Sequence, residues 1–189
     1  MTWIRTIPKS QADDEYRQAI AAQHAWYPAE YNDEVPGLPS GDADGIVATH
    51  SLIPQALHHA FATFGSLMDP QLPLTRRQHE LIATVVSQTN CTRYCSVSHR
   101  EFLRRATGDS VLAETVQQDY HAADLTPAEQ AMCEHAERLT RDATQIRQAD
   151  IEKLRSHSFD DRAILQITLI AAWFNYINRV ADGLGVGRD

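Results

Sequence analysis

The sequence predicts an all-α protein, and three observations support that prediction. Most segments between prolines and glycines place apolar side chains at helical spacing, and several open with a helix-start signal. No segment shows the sustained apolar–polar alternation of a half-buried strand. The β-branched stretch ILQITLI, residues 164–170, lies inside a long run without turn residues, so its length favours a helix.

The N-terminal part predicts a helix followed by an acidic loop. Residues 12–27 have helical spacing, and Pro28 ends the run. Residues 28–45 contain three prolines, three glycines and several acids, which is typical of a loop. We therefore expect residues 1–45 to form an N-terminal helical extension with its loop, and residues 46–187 to form a single helical domain.

Three later helices have clear signals at one end. Thr75 is followed three residues later by Gln78, and Thr126 by Glu129, which predicts a capping box at both helix starts. The last long apolar run closes at Gly183. Its apolar residues occupy nearly every helical face, so we expect it in the centre of the core or in a subunit interface.

Composition excludes several classes of function. The formal net charge of −8 argues against a nucleic-acid surface, which needs clustered Lys and Arg. No apolar run approaches the roughly 18 residues that span a membrane, and the first residues hold no apolar signal core. The odd count of 3 cysteines does not fit a secreted disulfide framework, so we expect a protein of the reducing cytoplasm.

The stretch SQTNCTRYCSVSH contains two cysteines, Cys91 and Cys95, with His99 four residues after the second. A helix that begins near Asn90 or Thr92 places Cys95 in its first or second turn. There the helix dipole and unpaired N–H groups favour a thiolate, and His99 lies on the same helical face. We therefore expect Cys95 to be the most reactive of the three thiols.

Glu80, in the preceding helix, completes the candidate site if the two helices pack antiparallel. Its carboxylate would orient His99, which would act as the base for Cys95. Two other interpretations stay open at this point. One is a buried thiol beside a hydrogen-bonded imidazole, without chemistry. The other is a zinc site on one helical stripe, which lacks a fourth ligand because the spare Cys133 is distant and is expected in the core.

The segment LTRRQHELIATVVSQTNCTRYCSVSH resembles the signature of the alkylhydroperoxidase D (AhpD)-like, or carboxymuconolactone decarboxylase, superfamily, in its peroxidase-related branch. That signature has a Glu, a C-x-x-C pair, and a His four residues after the second Cys. Glu80, Cys95 and His99 fall at the family spacings, and AAWFNYINRVADGLGV is similar to the closing helix of the branch. The resemblance covers roughly residues 46–187 and implies an AhpD-like helical fold.

The cysteine spacing departs from the family. In the register of the other positions, the first family cysteine falls at Thr92, and this chain has Cys91 one residue earlier. Tyr94 stands where some hydroperoxidases have histidine. A disulfide needs Cβ atoms about 3.5–4.5 Å apart, whereas i,i+4 neighbours on a helix are about 5–6 Å apart. Pairing with Cys95 therefore requires Cys91 to lie before the helix, with Asn90 as the expected cap.

The resemblance implies a peroxidase that works without a cofactor or a metal. Cys95 would attack the hydroperoxide, Cys91 would resolve the sulfenic acid as a disulfide, and an external thiol or dithiol would reduce it. His99 would be the base, Glu80 its orienting carboxylate, and the protein a homo-oligomer. Two alternatives remain: a non-redox lyase of the same superfamily, which would lack the cysteine pair, and a helical binding or scaffold protein with a degenerate site.

Overall fold

The structure, a computed structural model, describes residues 2–39 and 41–188. Within these ranges it contains nine α-helices and no strand, which confirms the all-α prediction. The helices are α1 (Asp14–Trp26), α2 (Gly45–Thr49), α3 (Pro54–Leu67), α4 (Arg76–Thr89), α5 (Arg93–Thr107), α6 (Ser110–Asp119), α7 (Pro127–Asp142), α8 (Gln148–Ser156) and α9 (Asp161–Gly183). Short 3₁₀ segments lie at Lys9–Gln11, Ala29–Asn32, Tyr120–Ala122 and Ala143–Gln145.

The predicted helix signals are present. The Thr75 hydroxyl accepts a hydrogen bond from the backbone N–H of Gln78, and the Gln78 side-chain oxygen accepts one from the backbone N–H of Thr75. Thr126 and Glu129 form the same reciprocal pair at the start of α7. The last helix ends at Gly183 as expected. The sequence patterns did not single out α6 and α8, which are short and begin after Asp109 and Arg147.

Helix α4 lies at the centre of the molecule. Every residue from His79 to Ser87 is buried, because α5, α7 and α9 pack around it. Helix α9 buries one face in the same core, while Leu165, Leu169 and Tyr176 on its other face are exposed. The expectation that α9 is central is therefore confirmed for one of its faces.

The N-terminal extension packs onto the same core. Helix α1 lies against α3, and Tyr16 and Ala19 of α1 belong to the hydrophobic cluster that also contains α4 residues. The backbone N–H of Trp3 donates to the carbonyl of Leu184 at 2.9 Å, next to the end of α9. Helix α1 is thus part of the same core as the later helices, and the boundary at residue 45 stays a prediction. Among the described residues, no helix has the length and apolarity needed to cross a membrane.

Candidate active site

A tight turn joins α4 to α5 and brings the predicted site residues together. The N–H of Cys91 donates to the Gln88 carbonyl at 2.9 Å, and the N–H of Thr92 donates to the Ser87 carbonyl at 3.0 Å. These bonds fold the chain back on itself, so that α4 and α5 form a helical hairpin. Glu80 on α4 and His99 on α5 then face each other.

Glu80 and His99 form the pair expected from the sequence. His99 Nδ1 lies 2.7 Å from Glu80 Oε2, and Glu80 is fully buried. Burial alone would raise the pKa of Glu80, but His99 and Arg76 outweigh it and lower the pKa to about 2. An ionised carboxylate only accepts hydrogen bonds, so Nδ1 carries the proton and Nε2 is the basic nitrogen.

Two further residues donate hydrogen bonds to the other carboxylate oxygen of Glu80, Oε1. Arg76 Nη1 and the Tyr31 hydroxyl both donate to Glu80 Oε1. The Tyr31 ring also stacks on Phe102 at 4.2 Å and meets the His99 ring edge-on at 5.9 Å. Burial, followed by the charge of Glu80, raises the pKa of Tyr31 well above its usual value, so its hydroxyl keeps the proton that it donates.

Cys95 occupies the third position of α5 and is almost fully buried, with 4% of its surface exposed. It packs against Ala181 in the last turn of α9 and against Val186, which follows that helix. Burial raises the pKa of Cys95 to about 12, and a hydrogen bond with the Asn178 side chain offsets only part of this effect. Burial thus opposes the Cys95 thiolate that the start of the helix was expected to favour. Among the described residues, no hydrogen bond joins Cys95 to His99.

Cys91 lies outside α5, which begins at Arg93. It is exposed and has a left-handed backbone with φ of 57°. The condition for pairing with Cys95, a position before the helix, is met, and both thiols are free. The expected cap is different, however. Asn90 is the C-cap of α4, and Thr92 is the N-cap of α5, where its hydroxyl donates to Asp182 instead of capping the helix.

A buried polar network connects the turn to α9. The Asn90 amide donates to Asn175 Oδ1 and to Asn178 Oδ1, both at 3.0 Å. The Asn178 amide in turn donates to the Ser87 hydroxyl at 3.3 Å. Asn178 is fully buried, so these bonds fix its side chain beside Cys95.

A cavity of about 250 Å³ adjoins this cluster. Cys95, His99 and Tyr94 line it from α5, and aromatic residues of α3 and α9 line it together with the loop at residues 33–39. Tyr94 is partly buried and lies beneath the start of α2. A Cβ at Gly45 would lie 2.9 Å from the Tyr94 hydroxyl, and φ at Gly45 is +86°, so glycine is required there. The loop that the sequence predicted is thus a wall of the site.

Comparison with solved structures gives two close matches in fold. The first is an alkylhydroperoxidase AhpD core, an uncharacterized peroxidase-related protein from Ralstonia eutropha JMP134, with a TM-score of 0.81 and 26% identity over 98% of this chain and 90% of that one. The second is an uncharacterized peroxidase-related protein from Silicibacter sp. TM1040, with a TM-score of 0.71 and 34% identity over 75% of this chain and 73% of that one.

The chain belongs to the AhpD-like, peroxidase-related family. No protein-family model matches the sequence, and no curated protein matches it either. The debrominase Bmp8 in its apo form shares the AhpD-like fold, with a TM-score of 0.72 and 13% identity over 96% of this chain and 89% of that protein. The resemblance stated from the sequence is thus confirmed at the level of the family.

The zinc interpretation does not fit this AhpD-like site. Cys91 lies outside the helix and is exposed, so it does not share a helical stripe with Cys95 and His99. In the part of the chain that the structure describes, no three His, Cys, Asp or Glu side chains are placed to hold a metal. Cys133 is fully buried in α7, in the core position that the sequence predicted for it.

Three residues of the site were missed by sequence reasoning. Arg76 lies four residues before Glu80 in α4, so helical spacing could have indicated it. Tyr31 and Asn178 lie in the N-terminal loop and in α9, far along the chain from the residues that they contact. No local pattern marks either of them, because only the tertiary fold brings them to the site.

Proposed function

We propose that this AhpD-like protein is a cysteine-based peroxidase that reduces hydroperoxides through the Cys95 thiol. One observation carries the proposal: Cys95 and the Glu80-bound His99 line the same cavity. A nucleophile and an oriented base that line one cavity are the arrangement that thiol chemistry on a small substrate requires.

The first step oxidises Cys95. Positions four apart on a helix have Cβ atoms about 5–6 Å apart, which leaves room for a peroxide group between Cys95 and His99. His99 Nε2 takes the thiol proton, and the thiolate attacks the terminal peroxide oxygen. The O–O bond breaks, sulfur becomes a sulfenic acid, and His99 returns the proton to the leaving alkoxide. Glu80 stabilises the imidazolium that forms in between.

The second step returns the cysteine to the thiol state. The Cys91 thiolate attacks the sulfur of Cys95, the S–O bond breaks, and the hydroxide leaves as water with the proton of Cys91. The position of Cys91 before α5 supports this step, because its backbone is not held at helical spacing. An external thiol or dithiol then reduces the disulfide, which suits a reducing compartment such as the cytoplasm.

Self-association is part of the same proposal. Leu165, Leu169 and Tyr176 form an exposed apolar stripe on α9, and a second copy of the chain would cover it. The stripe lies on the face of α9 that points away from Phe174 and the cavity.

Peroxide consumption with a dithiol as reductant tests the proposal. The wild type should consume hydrogen peroxide or cumene hydroperoxide, Cys95→Ser should not, and Cys133→Ser should match the wild type as the control. Equal rates in wild type and Cys95→Ser would overturn the assignment. Because the debrominase Bmp8 shares the fold and is also solved in complex with 2,3,4-tribromopyrrole, a brominated pyrrole is tested as a second substrate. Bromide release without peroxide consumption would replace the peroxidase by that reaction.

A further inference from the structure

One wall of the cavity is a short loop, residues 33–39, which we call the flap. Its lining residues are Asp33, Glu34, Val35, Leu38 and Pro39. Val35 and Leu38 are only partly buried, and neither belongs to the hydrophobic clusters that the described residues form. The flap therefore covers the cavity without being part of the core, and other contacts must hold it in place.

The middle of the flap is a tight turn. The N–H of Leu38 donates to the Val35 carbonyl at 3.2 Å, and Gly37 between them has φ of 82°. With Pro36 before this glycine, the sequence is that of a type II turn, in which the two residues preset the backbone. Within the described part of the chain, the backbone of residues 35–39 makes no other hydrogen bond. The turn thus keeps its own shape but is not tied to the rest of the protein through its backbone.

Arg105, near the end of α5, holds the start of the flap. Its Nη1 donates to the Glu30 carbonyl at 3.0 Å and to Asp33 Oδ2 at 3.3 Å, and its Nη2 donates to the Glu34 carbonyl at 3.0 Å. Its Nε donates to Glu101 on the same helix at 2.8 Å, which fixes the direction of the side chain. Three of these four bonds therefore end in the flap or just before it, a set of acceptors that suits the several donors of a planar guanidinium.

The chain on either side of the flap is attached independently of Arg105. Before the flap, the Tyr31 hydroxyl donates to Glu80 and its ring stacks on Phe102. After it, the Asp42 carbonyl accepts from the N–H of Lys9 at 3.1 Å. Loss of the Arg105 contacts would therefore release the flap alone, while the segments that flank it stay in place.

We propose that Arg105 determines the size of the molecules that reach Cys95, because it holds the flap against the cavity. Arg105 does not line the cavity, so it is a positioning residue that acts through the flap. Small molecules pass beside the flap, whereas larger ones reach Cys95 only when the Arg105 contacts open. Access to the thiol does not depend on which reaction Cys95 performs. Only the conclusion that Arg105 selects among hydroperoxides rests on the proposed function.

Alkylation of Cys95 by two reagents of different size tests the proposal without any turnover. N-ethylmaleimide and N-(1-pyrenyl)maleimide react by the same chemistry, so a change in the ratio of their rates between variants reports access and not thiolate reactivity. Arg105→Gln should raise the pyrenyl-to-ethyl ratio at Cys95 by at least about tenfold, the scale of one lost hydrogen bond to a charged group. Mass-spectrometric mapping assigns the rates to each cysteine. An unchanged ratio in this variant would overturn the proposal.

Two further variants show whether the effect belongs to the flap. Arg104→Gln is the matched control, because Arg104 also binds Glu101 but makes no bond to the flap, and its ratio should equal that of the wild type. Asp33→Asn weakens one of the Arg105 contacts at a side chain that is 69% exposed, so its ratio should rise by a smaller factor. Should Arg105→Gln not fold, Asp33→Asn decides, and an unchanged ratio there overturns the proposal.

Cys133 reports whether the whole protein opens. It is fully buried in the core, so its labelling rate should be the same in the wild type and in each of these variants. If Cys95 becomes accessible to the pyrenyl reagent only together with Cys133, Arg105 stabilises the fold as a whole and does not control the flap.

Peroxide kinetics connect the flap with the proposed function. The ratio of kcat/KM for cumene hydroperoxide to kcat/KM for hydrogen peroxide should rise several-fold in Arg105→Gln and stay unchanged in Arg104→Gln. If the labelling ratio changes but no peroxide is consumed, the role of Arg105 stands and the reaction is wrong. If peroxide is consumed through Cys95 but neither ratio changes, the reaction stands and the role of Arg105 is wrong.

Discussion

Cys95 and Cys133 are both buried thiols, but the charged and polar groups around them differ. Burial raises the pKa of each, and at Cys133 the carboxylates of Glu129 and Glu134 raise it further. Cys95 instead has the Asn178 amide beside it and lines the cavity with His99. Burial raises the pKa of both thiols, so the cavity beside Cys95 and its polar neighbours are what make Cys95 the candidate nucleophile.

Each cysteine region also contains a buried glutamate. Glu80 is held by Arg76, Tyr31 and His99, whereas Glu129 is held by Arg77 at 2.7 Å and by the helix start at Thr126. Only the Glu80 carboxylate contacts a base, His99, that lines the cavity. The second completes a capping box, which is a structural task.

Replacement of Glu80 and replacement of Glu129 should have the most different effects on peroxide turnover. Glu80→Gln keeps the shape but removes the charge that orients and stabilises protonated His99, so kcat/KM for peroxide should fall about 10²–10⁴-fold. Glu129→Gln should lower the melting temperature and leave kcat/KM within a small factor. Steady-state kinetics with each variant is the measurement, and an unchanged rate in Glu80→Gln would reduce its role to packing.

The pKa of Glu80 gives a matching pH dependence of stability. Its folded pKa of about 2 lies below the usual 4.5, so the stability that it contributes is present above pH 4.5 and is lost as the pH falls towards 2. Acid denaturation of Glu80→Gln should therefore show a shallower loss of stability in this window than the wild type. Identical acid-unfolding curves would show that the carboxylate is already protonated in the folded protein.

Thiol labelling should separate the three cysteines. In contrast to the order expected from the sequence, exposed Cys91 should react first, followed by Cys95 through the cavity, and Cys133 only when the protein opens. The Cys95 rate should rise about tenfold per pH unit at alkaline pH, because the thiolate fraction grows below a pKa of about 12. Brief alkylation followed by mass-spectrometric mapping measures this order. Labelling of Cys133 before Cys95 would contradict the conclusion that the cavity makes Cys95 the more accessible thiol.

Asn178 should have a smaller effect on the same rate. Asn178→Leu removes the hydrogen bond to the Cys95 thiolate, and hydrogen bonds to charged groups contribute about 1.5–3 kcal/mol. Labelling and peroxide turnover should both slow by roughly tenfold or more. Asn175→Leu is the matched control, because Asn175 also accepts a hydrogen bond from the Asn90 amide but is not among the groups that shift the Cys95 pKa. Equal slowing in both variants would assign the effect to the network as a whole.

The sequence could predict the parts of this molecule that depend on local spacing. Capping at Thr75 and Thr126 follows from residues three apart, and the Glu80–His99 pair follows from two helices joined by a short turn. It could not predict the direction in which the Cys95 pKa is shifted. The position at the helix start suggests a lowered pKa, whereas burial against Ala181 and Val186 raises it. It also treated the loop at residues 28–45 as a boundary, although Tyr31 in that loop binds Glu80.

Oxidation of the protein decides whether the longer cysteine spacing still allows pairing. Mild peroxide treatment should give a Cys91–Cys95 disulfide that small dithiols reduce, while Cys133 stays free. Peptide mapping checks this result. A Cys95 sulfinic acid with free Cys91 as the main product would contradict the two-cysteine mechanism and leave Cys95 dependent on an external thiol.

The smallest expected effect concerns the backbone at Cys91, whose φ of 57° favours glycine. Cys91→Gly should relieve the strain of a side chain in the left-handed region, which is about 1 kcal/mol, and raise the melting temperature by about 2–4 °C. Cys91→Ala removes the same thiol but keeps the strain, so it should not be stabilised. Both variants should lose the disulfide and accumulate over-oxidised Cys95. If Cys91→Gly is stabilised and yet turns over peroxide as well as the wild type, Cys91 is a strained turn residue without a resolving role.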